Sequence, residues 1–203
     1  SIDPNVFDDP TTIPVIVLYA GAGGVSLGMR SQVGRHRFVT VLAIEGDPLF
    51  AEAHRLTHPH IPVSTTWMVE HDDTLSIIEK FLPRHLWSRA WVHASPSCRL
   101  GSVMNMKQRD LEASRQQTQW ALQLMQKLQP AVWTLEQTPS LLKAFRGQYR
   151  FTERVNMRLH CRLPQDRRRL IMSNAALVLP THPASYVNPV SYTHLRAHET
   201  LPY

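Results

Sequence analysis

The feature that most constrains the fold is an apolar run that passes directly into a glycine-rich turn. Residues 15–19 read VIVLY, a continuous and mostly β-branched stretch with the length of a buried strand. Gly21, Gly23 and Gly24 follow at once, and residues 25–30 can begin a helix. A buried strand, a glycine turn and a helix in this order are typical of the first unit of a parallel sheet covered by helices.

The rest of the chain continues the alternation of strands and helices. The patterns predict strands at residues 38–44, 90–94, 130–135 and 170–172, and helices at residues 48–56, 75–81, 111–128 and 141–145. This alternation predicts an α/β fold with a doubly wound, mostly parallel sheet.

The two ends of the chain differ from this regular middle. Residues 1–14 hold three prolines and several acids, and we expect a loose lead-in. We expect residues 15–188 to form one domain. Residues 189–203 include SYTHLRAHET, which resembles the translation of a sequencing-library adapter, so we expect this segment to lie outside the fold.

Four of the predicted strands lead into chemically useful groups: the glycine turn, Glu45, Cys98 and Glu136. Ligands of open α/β sheets bind outside the carboxyl ends of the strands. Glycines let the backbone approach a ligand closely, and an acid such as Glu45 can accept hydrogen bonds from ribose hydroxyls. The turn is neither Gly-x-x-x-x-Gly-Lys-Ser/Thr nor Gly-x-Gly-x-x-Gly, so a phosphate-binding loop is not expected, while a nucleotide cofactor remains open. Cys98 taken alone is more often a structural residue.

Charge and cysteine content restrict the partners and the compartment. The net charge of +6 favours polyanionic partners such as nucleic acid. No apolar stretch reaches the ~20 residues of a membrane span, and we expect neither a membrane partner nor a secretory signal. Two cysteines outside any Cys-x-x-Cys pair favour an intracellular location, in the nucleus of a eukaryote or the cytoplasm of a bacterium. Histidines and cysteines lack metal-ligand spacing, so no metal is expected.

Five segments, in chain order, resemble motifs of the cytosine-5 DNA methyltransferase family, and together they cover about residues 15 to 175. They are LYAGAGGVSLG at 18–28 for the glycine motif, AIE at 43–45 for the second motif, PSCRLGS at 96–102 for the nucleophile loop, LEQ at 135–137 for the Glu-Asn motif, and PQDRRR at 164–169 for the Gln-x-Arg-x-Arg motif.

The resemblance implies transfer of a methyl group from S-adenosylmethionine to carbon 5 of cytosine in DNA. It implies that the Cys98 thiolate adds to carbon 6, while Glu136 hydrogen-bonds nitrogen 3 and the exocyclic amine. Arg167 and Arg169 would position the loop and the flipped nucleotide. The cofactor-binding residues that it implies are Tyr19, Ala20, Gly21, Gly23, Gly24, Glu45, Asp72 and Pro96.

The chain departs from the family pattern at several positions. Ser97, Arg99 and Gln137 replace a proline, a glutamine and an asparagine. No target-recognition region or closing C-terminal motif is visible, so we expect a truncated catalytic domain that needs a further region or a partner chain to complete its site.

Three alternatives stay open at this point. The first is methylation of cytosine in RNA, including transfer RNA. The second is an amino-group methyltransferase. Residues 95–98, SPSC, loosely match the Asp/Asn/Ser-Pro-Pro-Tyr/Phe loop of such enzymes. The third is a non-catalytic binder of nucleic acid. We expect His93 to be satisfied by the backbone and Cys161 to be structural.

Overall fold

The computed structural model of the chain describes residues 4–29, 34–96, 108–156 and 168–177. Outside these ranges lie several residues named above, which are Ser97, Cys98, Arg99, Cys161 and Arg167, and also the C-terminal segment 189–203.

The described ranges contain seven strands and four α-helices, together with three short 3₁₀ helices. The strands are β1 (Thr12–Leu18), β2 (Arg37–Glu45), β3 (Val63–Thr65), β4 (Trp91–Ala94), β5 (Val132–Gln137), β6 (Phe151–Asn156) and β7 (Arg168–Ser173). The α-helices are α1 (Gly24–Gly28), α2 (Pro48–Thr57), α3 (His71–Phe81) and α4 (Gln108–Leu128). The 3₁₀ helices are Pro4–Phe7, Arg84–Arg89 and Pro139–Phe145.

All seven strands form one sheet in the order β3-β2-β1-β4-β5-β7-β6. The first five strands pair in parallel, and β7 runs antiparallel between β5 and β6. The chain winds outward from β1 to β3 and then returns to place β4 on the other side of β1. The order therefore reverses between β1 and β4, and the crevice at the carboxyl ends of these two strands is where open α/β sheets bind their ligands.

The strand β1 is buried on both faces, which explains its continuous apolar sequence. Ile16 and Leu18 belong to a large cluster with Ile78 of α3 and Leu122 of α4. The alternate β1 residues Val15 and Val17 belong to a second cluster, against which Val25 of α1 packs. Helices therefore cover both faces of the sheet, and the predicted α/β, doubly wound and mostly parallel fold is confirmed.

Several boundaries differ from the sequence prediction. The strand β1 begins at Thr12, and Phe7 packs in the core, so part of the expected lead-in belongs to the fold. The strands β3 and β6 were not predicted, since β3 has three residues and β6 alternates partly buried with exposed positions at the sheet edge. The predicted helix at residues 141–145 is part of a 3₁₀ helix. No helix within the described residues is both long and apolar enough to cross a membrane.

Candidate active site

The glycine turn leaves β1 through a series of left-handed backbone conformations. The φ angles are 54° at Tyr19, 53° at Gly21 and 99° at Gly23. The Ala20 N–H donates to Ile44 O at 3.1 Å, which ties the turn to the end of β2. The Tyr19 hydroxyl donates to Gln117 O of α4 at 3.4 Å, and burial raises the pKa of this phenol. The turn is therefore fixed to both the sheet and α4.

Two buried histidines, His54 of α2 and His58 directly after this helix, explain why position 23 must be glycine. The His58 Nε2 lies 2.8 Å from Gly23 O, and His54 Nε2 lies 2.9 Å from Ser26 Oγ. A Cβ on Gly23 would lie closer than 3.0 Å to two atoms of the His58 ring. The positive φ at Gly23 disfavours a side chain as well.

Glu45 joins the end of β2 to the glycine turn. Its Oε2 accepts from the Gly21 N–H at 2.8 Å, and its Oε1 accepts from the Asp47 N–H at 2.9 Å. The side chain is only half-buried, and each carboxylate oxygen can accept a further hydrogen bond. Glu45 therefore keeps acceptor capacity beside the glycine turn, and its assignment to a cofactor ribose stays a prediction.

Glu136 lies on β5 at the same edge of the sheet and is held by groups from two neighbouring elements. Arg169 Nε of β7 lies 3.0 Å from Glu136 Oε1, and the Ser95 hydroxyl beyond β4 donates to Oε2 at 3.3 Å. The side chains of Arg169 and Glu136 are 14% and 26% exposed, so the ion pair is partly shielded from solvent. The antiparallel insertion of β7 beside β5 brings the two residues together.

The segment that follows β4 begins at the switch point. The Ser95 N–H donates to Leu18 O at 3.2 Å, and the next residue, Pro96, is buried. Two residues beyond Pro96 comes Cys98, the predicted nucleophile.

Most of the predicted site residues lie at the carboxyl ends of β1, β2, β4 and β5 or at the adjacent start of β7. They are Tyr19, Ala20, Gly21, Gly23, Gly24, Glu45, Pro96, Glu136 and Arg169.

Asp72 lies elsewhere. It is exposed in the first turn of α3, and its Oδ1 accepts from Lys127 Nζ of α4 at 3.0 Å. Among the described contacts none joins Asp72 to the glycine turn. Its assignment to the cofactor site stays a prediction that these contacts do not support.

His93 of β4 is paired differently from the sequence expectation. Its Nδ1 lies 2.8 Å from Thr134 Oγ1 of β5, so a neighbouring hydroxyl, and not the backbone, is its partner. Burial lowers the pKa of His93 to about 4, so the ring is neutral at physiological pH.

Two residues of this edge were missed by the sequence interpretation. Ser95 was noted only within the turn before Cys98, although a hydroxyl directly after a predicted strand was an available signal. Trp67 follows the short strand β3, which the sequence did not reveal. Within the part of the chain that the structure describes, no group of three or more His, Cys, Asp or Glu residues could hold a metal ion.

The groups present fit S-adenosylmethionine. Gly21 and Gly24 face open space where a Cβ would stand, so a ligand can reach the backbone of the turn. Glu45 offers acceptors for the two ribose hydroxyls beside this turn.

The strand order, the glycine turn at the switch point and the acid that ends β2 define the α/β fold of S-adenosylmethionine-dependent methyltransferases. Solved methyltransferase structures share this fold. One is a prophage-encoded E. coli protein assigned as a DNA modification methyltransferase, with a TM-score of 0.60 and 18% identity over 79% of this chain and 46% of that one.

Two further structures extend the comparison. The S. pombe Dnmt2 methyltransferase has a TM-score of 0.56 and 15% identity, over 82% of this chain and 51% of that one. The human methyltransferase 10 domain containing protein has a TM-score of 0.52 and 15% identity, over 85% of this chain and 74% of that one. This chain thus spans about half the length of the first two structures. A comparison with protein-family models finds no match, nor does one with the sequences of curated proteins.

Proposed function

We propose that this chain is a catalytic domain that transfers the methyl group of S-adenosylmethionine to carbon 5 of cytosine in DNA. The observation that carries the proposal is the carboxylate of Glu136. Arg169 and Ser95 contact this carboxylate and hold it at the edge of the sheet. Ser95 precedes Cys98 by three residues, so the nucleophile loop begins beside Glu136. The order of the five sequence motifs and the fold of the solved methyltransferases support the same proposal.

In the proposed reaction Cys98 acts as the nucleophile. Its thiolate adds to carbon 6 of a cytosine that has left the duplex, and the electron pair of the 5,6 double bond moves to carbon 5. Carbon 5 then takes a methyl group, which the cofactor supplies when bound. Water then takes the proton from carbon 5, the electron pair of that C–H bond restores the 5,6 double bond, and the bond between carbon 6 and sulfur breaks to release the thiolate.

Glu136 stabilises the charge that develops on the ring during attack. For this role the carboxyl group carries a proton, which it donates to nitrogen 3 while its other oxygen accepts from the exocyclic amine, in a partly buried setting where such bonds are stronger than in water. Arg169 and Ser95 fix the orientation of the carboxyl group before the base arrives. Arg169 is therefore a positioning residue in this proposal.

The proposal is tested by methyl transfer from isotopically labelled S-adenosylmethionine to duplex DNA and, in parallel, to transfer RNA. We expect label in 5-methylcytosine of DNA, a loss of at least about 100-fold in Cys98→Ala, and full transfer in Cys161→Ala, which removes the other cysteine. Label only in transfer RNA would replace the DNA substrate with RNA. Full activity of Cys98→Ala would favour amino-group methylation. No transfer to either substrate by a chain that binds S-adenosylhomocysteine would overturn the proposal.

A further inference from the structure

The outermost strand of the sheet, β6, carries a row of exposed polar side chains along one face. The row consists of Arg150, directly before the strand, and of Thr152 and Arg154 within it. The Arg150 N–H donates to Ser173 O of β7 at 3.1 Å, so Arg150 continues the strand pairing. The residues that alternate with this β6 row are half-buried or buried. The β6 row therefore faces solvent as a unit.

The β6 row carries positive charge that no neighbouring acid neutralises. Among the described residues, neither Arg150 nor Arg154 forms an ion pair with a carboxylate. The one acid of the strand, Glu153, alternates with the row and pairs in register with Ile171, so it lies on the opposite face. The Arg150 guanidinium lies 5.3 Å from the centroid of the Phe151 ring, a contact that orders the side chain and leaves its charge in place.

The sheet register places one end of the β6 row level with the proposed active site. Arg154 pairs with Leu170 of β7, and Leu170 pairs with Gln137, the neighbour of Glu136 on β5. Neighbouring strands lie about 4.8 Å apart, so Arg154 lies about 10 Å from the strand that carries Glu136. From Arg154 the row extends four residues along the edge strand to Arg150, a distance of about 13 Å.

The composition of the β6 row selects its partner. Guanidinium and hydroxyl groups are the donors that proteins use for phosphate oxygens. Duplex DNA carries one charge per about 1.7 Å of its axis, so a row of about 13 Å meets several phosphates. A protein partner would need an apolar centre in its interface, and the row contains no apolar side chain. The net charge of +6 for the whole chain favours the same polyanionic partner.

We propose that the β6 row binds the phosphate backbone of duplex DNA beside the target cytosine. The proposal rests on the proposed function, from which it takes the substrate and the position of the target base. Contacts to phosphates fix the position of a duplex but read no bases, so the row contributes affinity without sequence preference. It holds the duplex against the sheet edge while the cytosine leaves the helix to reach Glu136.

The test measures binding of a fluorescently labelled duplex DNA of mixed sequence by anisotropy, with the full chain, over a series of salt concentrations. In the double variant Arg150→Gln and Arg154→Gln we expect affinity to fall about tenfold or more near 0.1 M salt. The slope of log affinity against log salt should become shallower by about 1.8, which is about 0.9 for each lost phosphate contact. The double variant Arg150→Lys and Arg154→Lys should keep most of the affinity, because lysine also binds phosphate.

The matched control removes the same charge elsewhere. Arg35→Gln and Arg37→Gln together change two exposed arginines at the amino end of β2 and should keep the affinity and the salt slope of the wild type. An equal loss in both glutamine double variants would assign the effect to net charge and overturn the proposal. Unchanged urea unfolding and unchanged binding of S-adenosylhomocysteine in Arg150→Gln and Arg154→Gln verify that its fold is intact.

Each further outcome bears on a separate claim. Wild-type DNA affinity in Arg150→Gln and Arg154→Gln would overturn the role of the β6 row and leave the proposed function standing. If that variant also self-associates, the arginines protect the strand edge instead. A loss confined to binding of transfer RNA would overturn DNA as the partner. A loss of DNA affinity in a chain that transfers no methyl group would support the β6 row and contradict the proposed function.

Discussion

Acidification should destabilise the folded chain through His93, which lies in β4 next to the proposed active site. The side chain is 7% exposed, and its Nδ1 contacts Thr134 Oγ1 at 2.8 Å. Burial lowers its pKa from 6.5 to about 4. The folded state therefore holds the neutral ring at pH values where the unfolded chain already binds a proton.

The sign and size of the effect follow from this difference. The stabilising contribution is fully present above pH 6.5 and is lost as the pH falls from 6.5 to about 4, because only the unfolded state gains a proton in that window. Lowering the pH from 7 to 5 should cost about 2 kcal/mol of unfolding free energy, and the complete loss is about 3 kcal/mol. Burial and the neighbouring His58 also lower the pKa of His54, which adds to the loss in the same direction.

The assay is urea unfolding at pH 7 and pH 5 for the wild-type chain and His93→Gln. We expect His93→Gln to be less stable at pH 7 but to lose about 2 kcal/mol less on acidification. His85→Gln, which changes an exposed histidine, should keep the wild-type response. An equal pH dependence in wild type and His93→Gln would refute the reasoning.

Three further predictions concern the edge of the sheet. Gly23→Ala should lower the unfolding free energy by about 2–4 kcal/mol in chemical denaturation, because the new Cβ would clash with the His58 ring and the backbone at this position is left-handed. The control Gly24→Ala, whose Cβ would face open space, should change the unfolding free energy by less than about 0.5 kcal/mol. Glu45→Gln should weaken S-adenosylhomocysteine about tenfold in calorimetry by removing the charged acceptor, and unchanged affinity would exclude the ribose role. Arg169→Ala should lower methyl transfer about 100-fold without changing cofactor affinity, and an equal loss in the exposed neighbour variant Arg168→Ala would contradict its positioning role.

The sequence predicted those parts of the fold that have strong local patterns. The strands β1, β2, β4 and β5 carry continuous apolar runs because both faces of the sheet are covered, and their positions were predicted to within a few residues. The strand β3 has three residues, and its pairing with β2 rather than its own composition defines it. The strand β6 lies at the sheet edge and has charged residues, so its local pattern resembles a loop.

The sequence predicted which residues stand at the strand ends of the candidate site, but it did not predict their mutual contacts. The glycine turn, Glu45 and Glu136 stand directly at strand ends, which the sequence identifies. The ion pair of Glu136 with Arg169 depends on the antiparallel position of β7, which no local pattern encodes. Trp67 was missed because the sequence does not reveal the short strand β3 that precedes it. The pairing of His93 with Thr134 was missed because it depends on the register between β4 and β5.

The most direct test of the central claim is covalent trapping on duplex DNA that contains 5-fluorocytosine, in the presence of S-adenosylmethionine. Fluorine cannot leave carbon 5 as a proton does, so the thiolate of a cytosine-5 methyltransferase stays bonded to carbon 6. We predict a complex that survives denaturation, maps to Cys98, disappears in Cys98→Ala and persists in Cys161→Ala. A chain that binds S-adenosylhomocysteine and DNA but forms no such complex would contradict the account and identify a non-catalytic relative.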